Sequence, residues 1–141
     1  MAEAIARRRI EELGWSQVEV GSAGVGAFDG SPASGGALRT AARNGLDLSA
    51  HEANLVTREL LESAHLILTM SASHLARVAE LGAGERAALI TDFTSPGDAD
   101  PGWGGVPDPI GGSDEEYGQT FRVLEGLVRR ALERLEAVVT P

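Results

Sequence analysis

The sequence has 141 residues, which is enough for one domain with a single hydrophobic core. Its formal net charge of −9 argues against nucleic acids and anionic membrane surfaces as partners. Cysteine is absent, which excludes disulfides, thiolate metal sites and a cysteine nucleophile within this sequence. No apolar run is as long as a membrane span, and the charged first residues are unlike a signal peptide. We therefore expect a cytoplasmic location.

The first predicted element is a helix from residue 2 to about residue 13, ended by Gly14. Its apolar residues recur at helical spacing on one face: Ala2, Ala6, Ile10 and Leu13. The helical pattern begins with the first residues, so no preceding residue caps the N–H groups of the first turn. A helix N-terminus is also a ready binding site for an anion.

The middle of the chain alternates between predicted strands and helices. Strands are predicted at residues 17–20, 65–69 and 87–90, and helices at 33–44, 57–64 and 71–81. A loop rich in Gly, Ser and Pro follows the first strand, and Phe28 is its one large apolar residue. This alternation predicts an α/β fold with a parallel sheet, and ligands in such folds bind beyond the carboxyl ends of the strands.

The stretch from Val106 to Gly112 presents an acid on a stiff loop. Two prolines hold Asp108 in extended backbone, and the glycines that follow permit close approach to a neighbouring surface. Ser113 with Glu116 forms a capping-box pattern that opens a long helix to about residue 138. Ser22, Thr69 and the loop of residues 91–112 all follow predicted strand ends, so we expect them at one edge of the sheet.

The order and spacing of five blocks resemble the low-molecular-weight protein tyrosine phosphatases across essentially the whole chain. The blocks are Met1-Ala2-Glu3-Ala4, Ser22-Ala23-Gly24, Gly45-Leu46-Asp47-Leu48-Ser49-Ala50-His51, Leu66-Ile67-Leu68-Thr69-Met70 and Asp108-Pro109 before the long helix. The residues after Asp108, together with Ser22-Ala23-Gly24-Val25, look most like the bacterial protein arginine phosphatase branch. The resemblance implies a three-layer αβα sandwich with a short parallel sheet.

One part of the family pattern is not found in this sequence. The family has a phosphate-binding loop of the form C-x5-R-S immediately before the block that begins here at Met1. The resemblance therefore leads us to expect a single, N-terminally truncated domain over residues 1–141, lacking the first, central strand. We expect this chain alone to be unstable or prone to aggregation, because loss of a central strand leaves two rows of backbone groups unpaired.

The resemblance also implies a role for individual residues. Asp108 matches the general acid that protonates the leaving group of a cysteinyl-phosphate reaction and then activates water. Ser22 and His51 match positions that brace the phosphate loop, whereas Phe28 and Ile110 match the two walls of the substrate slot. The expected substrate is a phosphorylated protein, and the family mechanism needs no metal and no cofactor.

Several alternatives accompany this interpretation. Asp108 could be a turn residue, Ser22 and His51 ordinary hydrogen-bonding residues, and Phe28 simple packing. The chain could also be a non-catalytic pseudophosphatase that binds a phospho-ligand or a partner protein. An arsenate reductase on the same fold is set aside, because such reductases need resolving cysteines in a region that is present here and contains none. His65 and His74 lack the spacing of metal ligands and are expected to be structural.

Overall fold

The computed structural model describes residues 1–24, 29–94 and 106–139, with side chains described as far as residue 136. The helices in these ranges are α1 (Ala2–Leu13), α2 (Gly35–Arg43), α3 (Arg58–Glu62), α4 (Ala72–Glu80), α5 (Ile90–Thr94) and α6 (Asp114–Val139). The strands are β1 (Ile67–Thr69) and β2 (Ala87–Leu89), and a short 3-10 turn (Gly84–Arg86) precedes β2. No helix among the described residues is both long and apolar enough to cross a membrane.

Most predicted elements are present, with shorter bounds. The first helix has the predicted length and ends at Gly14, whose φ of 73° is the left-handed conformation that glycine adopts readily. Serine or threonine caps α2, α3 and α4, through Ser34, Thr57 and Ser71. The sequence predicts a loop directly after β2. This prediction is wrong for the first residues of the loop, because Ile90–Thr94 form α5. Residues 95–105 of that loop lie outside the described part of the chain.

The two strands pair in parallel, with Ile67 opposite Ala87 and Thr69 opposite Leu89. Side chains alternate between the two faces of a strand. Ile67 and Ala87 pack against a cluster of buried residues centred on α3 and α4, whereas Leu68 packs against the cluster formed by α1 and α6. The sheet therefore lies between two helical layers, which agrees with the predicted α/β class.

The predicted strand at residues 17–20 is not formed, and this expectation was wrong. A strand requires a neighbour to accept and donate its backbone hydrogen bonds. No strand lies beside these residues in the described structure, and the Val20 carbonyl instead accepts a hydrogen bond of 3.0 Å from the Arg7 guanidinium. Pairing starts only at Gly24, which forms a parallel bridge with Leu55.

Helix α6 is the element on which the other helices pack, since it contacts α1, α2 and α5. Its buried face carries residues at spacings of three and four, as the sequence predicts: Tyr117, Phe121, Leu124, Val128 and Ala131, joined by Leu127 and Leu132. Phe121 is completely buried. The main core cluster joins this face to Ile5, Ala6 and Ile10 of α1. The amphipathic periodicity of the two helices therefore accounts for most of the core.

A close fit between α2 and the start of α6 fixes the relative position of these helices. The buried ring of Tyr117 lies directly over Gly36, and its hydroxyl shares a hydrogen bond of 3.0 Å with Ser34. A Cβ atom at Gly36 would overlap that ring. Arg39 and Arg43 of α2 both bind the carboxylate of Asp114, at 2.9 and 3.0 Å. Small, aromatic and charged groups thus act together at this one contact.

Substitution of Gly36 by Ala should destabilise the fold by about 1–3 kcal/mol, because the added methyl group forces the buried Tyr117 ring out of its position. The matched control is Gly118→Ala in α6. There the nearest atom to the new Cβ is an Arg122 nitrogen 3.8 Å away, so the better helix propensity of alanine should add about 0.5–1 kcal/mol. Urea denaturation of both variants checks this, and equal midpoints would contradict it.

Substitution of Asp114 by Asn should lower the urea midpoint at neutral pH. The hydrogen bonds from Arg39 and then Arg43 hold the pKa of Asp114 below its ordinary value of 3.8. The folded state therefore binds the proton less tightly than the unfolded state, and the stabilisation is present above pH 3.8. It is lost as the pH falls through the lowered pKa, so the midpoints of the variant and the parent should converge in acid. The control is the neighbouring Glu115→Gln variant, which removes an acid that neither arginine contacts and should lower the urea midpoint less at neutral pH.

Candidate functional site

The candidate site is organised around Glu3 in the first turn of α1. Its carboxylate accepts a hydrogen bond of 3.1 Å from the Ser22 hydroxyl. The same carboxylate lies 3.3 Å from the Arg7 guanidinium and 3.8 Å from Nδ1 of His51. Three segments that are distant in sequence therefore meet at one acidic side chain. An acid in a first turn is also favoured by the helix dipole.

The segment of Ser22 to Gly24 is held in place from its other side by the segment 53–56. Backbone bonds join Gly24 to Asn54 and Val56 at 2.9 and 3.0 Å, and the Asn54 amide reaches the Ser22 carbonyl at 3.4 Å. Ser22 thus does not follow a strand, contrary to expectation. It is still fixed beside the beginning of α1, because backbone pairing holds one side of the segment and Glu3 holds the other.

The start of α1 is enclosed by protein. Met1 is half-buried and packs against both large core clusters. Burial lowers the pKa of its ammonium group, an effect partly opposed by the nearby Glu3 carboxylate. Met1 is also the N-cap residue, and among the described residues no side chain caps the first turn. The N–H groups at this end of α1 are therefore in the orientation that favours a bound anion.

The loop that carries Asp108 is anchored at both of its ends. The Val106 amide donates to the carbonyl of Met70, which directly follows β1, at 2.6 Å. At the other end, the hydroxyl of Ser113 caps α6 by accepting from the Glu116 amide at 3.2 Å. Val106 itself is buried in the main core cluster. The loop is therefore tied to the carboxyl end of β1 at Val106 and runs from there into α6.

Asp108 stands exposed in this loop, and its carboxylate accepts a hydrogen bond of 3.0 Å from the Ile110 amide. This contact is the local turn that an aspartate makes with the residue two positions later. Its second oxygen has no partner among the described residues. Ile110 is 69% exposed, the highest value among the exposed large apolar side chains of the described residues. Phe28, the other expected wall residue, lies outside the described part of the chain.

The structure thus brings Ser22 and His51 together and fixes the loop of Asp108 and Ile110 at the carboxyl end of β1. The residue that sequence reasoning missed is Glu3, which joins Ser22 and His51. The available signal was its position as an acid in the first turn of a helix, but its contacts come from segments about 20 and 50 residues away. No cluster of metal-ligating side chains occurs among the described residues.

Substitution of Glu3 by Gln should destabilise the fold by about 1 kcal/mol, because Arg7 and His51 both lose the charge they face. The matched control is Glu11→Gln, an exposed acid in the last turn of the same helix. That control should be neutral or slightly stabilising, since an acid there opposes the helix dipole. Chemical denaturation measures both, and a loss at Glu11 as large as the loss at Glu3 would contradict the central position of Glu3.

Comparison with known proteins gives a consistent result. Residues 1–140 match the family model described as low molecular weight phosphotyrosine protein phosphatase. The protein-arginine-phosphatase of Bacillus subtilis is 34% identical over 138 residues, covering 96% of this chain and 87% of that protein. The tyrosine phosphatase Wzb of Escherichia coli is 30% identical over 136 residues, covering 96% of this chain and 86% of that protein.

Solved structures agree with these relatives. A variant of the arginine phosphatase YwlE superposes with a TM-score of 0.85 at 31% identity, covering 96% of this chain and 86% of that chain. A low molecular weight tyrosine phosphatase from T. tengcongensis gives 0.85 at 32% identity, with 95% and 88% covered. The fold, the matched residues and these relatives lead to one conclusion: this chain belongs to the low molecular weight phosphotyrosine protein phosphatase family, whose members are hydrolases acting on phosphate bonds.

Proposed function

We propose that residues 1–141 form one domain of a phosphoprotein phosphatase that works through a cysteinyl-phosphate intermediate, with Asp108 as the general acid. The observation that carries this proposal is the position of Asp108. It stands exposed, with one free carboxylate oxygen, on a loop anchored between the carboxyl end of β1 and the capped start of α6. Catalytic groups on α/β folds gather at this end of the sheet. A cytoplasmic location is part of the same proposal.

The nucleophile must come from outside this sequence, which contains no cysteine. In the proposed reaction, a thiolate from a C-x5-R-S loop in front of α1 attacks phosphorus in line. The S–P bond forms as the bond from phosphorus to the leaving oxygen or nitrogen breaks, and Asp108 gives that leaving atom a proton. Asp108 then takes a proton from the water that attacks phosphorus, and the S–P bond breaks.

The uncapped N–H groups at the start of α1 would face the transferred phosphoryl group and stabilise its negative charge. Glu3 would hold Ser22 and His51 beside that loop, so that their side chains brace it. One solved relative carries a phosphorylated serine in its active site, which supports transfer of a phosphoryl group to a side-chain nucleophile. No metal and no cofactor enters the proposed reaction.

The proposed substrate is a phosphorylated protein side chain held between Phe28 and Ile110. The relatives include enzymes named for phosphotyrosine and for phosphoarginine, at similar identity. Ile110 and Gly111 stand where tyrosine-specific members usually carry aromatic residues. The arginine branch itself commonly carries an aromatic residue where Ile110 stands, so this difference gives only a weak preference for phosphoarginine. The exposed Ile110 side chain offers an aliphatic contact to the stem of an arginine, whereas an aromatic residue would stack on a tyrosine ring.

The test is to join a short apolar strand followed by C-x5-R-S to Met1 and to compare the extended protein with the chain alone. The chain alone should hydrolyse neither phosphotyrosine nor phosphoarginine peptides, because it has no nucleophile. The extended protein should hydrolyse at least one of them and should melt at a higher temperature, since the added strand supplies hydrogen bonds and core that the edge of β1 lacks. A well-folded extended protein without turnover would overturn the proposal.

Within the extended protein, Asp108→Asn should lower kcat by about a hundredfold to ten-thousandfold, the usual contribution of a general acid. Asp47→Asn is a closely matched control, because Asp47 is also exposed and also accepts from the amide two residues later, at 2.8 Å. If these turns have only a structural role, kcat should fall by a similar factor in Asp108→Asn and in Asp47→Asn. Turnover that survives in Asp108→Asn would remove Asp108 from the mechanism.

The second candidate function is that of a pseudophosphatase, and the absence of cysteine favours it. Such a protein would bind a phosphorylated peptide without hydrolysing it. Titration of the chain alone with phosphotyrosine and phosphoarginine peptides distinguishes the two. Saturable binding that is lost in His51→Ala, with a cooperative thermal transition for the parent, supports the pseudophosphatase. Failure to bind, together with restored turnover in the extended protein, supports the enzyme.

A further inference from the structure

A groove of about 470 Å³ runs between α1 and α6, within the size range of ligand-binding clefts. Its sides carry charged residues from both helices: Arg8, Arg9 and Glu12 over one turn of α1, and Arg122, Glu125 and Arg129 over two turns of α6. Ile5, Gly126 and Val128 complete the lining. In a chain with a net charge of −9, this groove therefore combines four arginines with only two acids.

The arginines of the groove differ in whether they have partners. Arg8 donates to the Asn44 carbonyl at 2.8 Å and lies 3.6 Å from Glu125, so the charges of Arg8 and Glu125 largely neutralise each other. The chain has twelve basic residues, all of them arginines. Among the described residues, the arginines without a hydrogen-bond or ion-pair partner are Arg9, Arg58, Arg122, Arg129 and Arg130. Three of these five, Arg9, Arg122 and Arg129, line the groove between α1 and α6, and Arg9 is half-buried there.

We propose that this groove binds a short acidic segment of a partner protein. Guanidinium groups present several N–H donors in a plane that matches a carboxylate, and they are less strongly hydrated than ammonium groups. Arg9, Arg122 and Arg129 line one cleft, and none of them has a carboxylate partner among the described residues. An incoming acid would supply the missing charge on both sides of the groove. This site is separate from Asp108 and does not depend on the proposed phosphatase activity.

The remaining lining decides between kinds of anion. From Ile5 to Glu12 the groove extends over two helical turns, or about 10 Å, so a single small ion would leave most of it empty. Apolar atoms of Ile5 and Val128 line the groove, and Gly126 presents backbone without a side chain, which suits an aliphatic residue between acidic ones. Glu12 would repel a densely charged phosphate more than it repels separate carboxylates. A peptide with interleaved acidic and apolar residues fits these features best.

The test is fluorescence anisotropy of the full chain with a labelled peptide of the pattern Glu-Glu-Leu-Glu-Glu-Leu-Glu-Glu. Because the protein has a net charge of −9, general electrostatic attraction works against binding, so a saturable signal reports a local site. We expect saturable binding at low ionic strength that weakens at about 1 M salt. The triple variant Arg9→Gln, Arg122→Gln and Arg129→Gln should weaken binding by about tenfold or more.

The control is the variant Arg58→Gln, which removes an arginine that has no partner among the described residues and lies outside the groove, beside Gly82. This variant should bind within about twofold of the parent. No substituted arginine has a partner in the part of the chain that the structure describes, so circular dichroism should be unchanged for both variants. A parent that does not bind the peptide overturns the proposal. So does equal weakening in the two variants, full competition by inorganic phosphate, or equal binding of a peptide with Gln in place of Glu.

Discussion

The burial of one face of α6 is the constraint on which the rest of the structure depends. Phe121 is fully buried on this face. The core cluster around it contains residues of α1 and also Ile90, the first residue of α5. Tyr117 extends the same face to α2, where Gly36 leaves room for its ring. A helix that is apolar along one face gains stability only by covering that face, so α1, α2 and α5 are assembled around it. The short sheet then fills one side of this assembly.

The candidate site is a consequence of that assembly. The start of α6 carries Asp114 and Tyr117, which bind α2, and it also ends the Asp108 loop. The contacts with α2 therefore fix the position of one end of this loop. The hydrogen bond from Val106 to Met70 fixes the loop to the sheet. At the other side, Glu3 collects Ser22 and His51 at the first turn of α1. Core packing and site geometry therefore share residues, and a substitution at α2 can act on both.

The sequence predicts best those elements that depend on their own periodicity. Helices α1 and α6 follow from their local patterns. The segment 17–20 has the composition of a strand, but strand formation depends on a neighbour that local sequence does not reveal. The convergence on Glu3 is similarly non-local, since it depends on backbone pairing between residues 22–24 and 54–56. Resemblance to a family identified Asp108, Ser22 and His51, but it gave no indication of the groove between α1 and α6.

The bond from Arg7 to the Val20 carbonyl has a consequence for association between molecules. Extended backbone with free carbonyl groups is a template on which another chain can add a strand. The guanidinium occupies one of these acceptors with a charge-assisted bond, and it is itself paired with Glu3. A strand that adds at this edge, from another molecule or from the same polypeptide, must first displace Arg7. One arginine thus occupies an acceptor on this edge and links the edge to the acid that organises the candidate site.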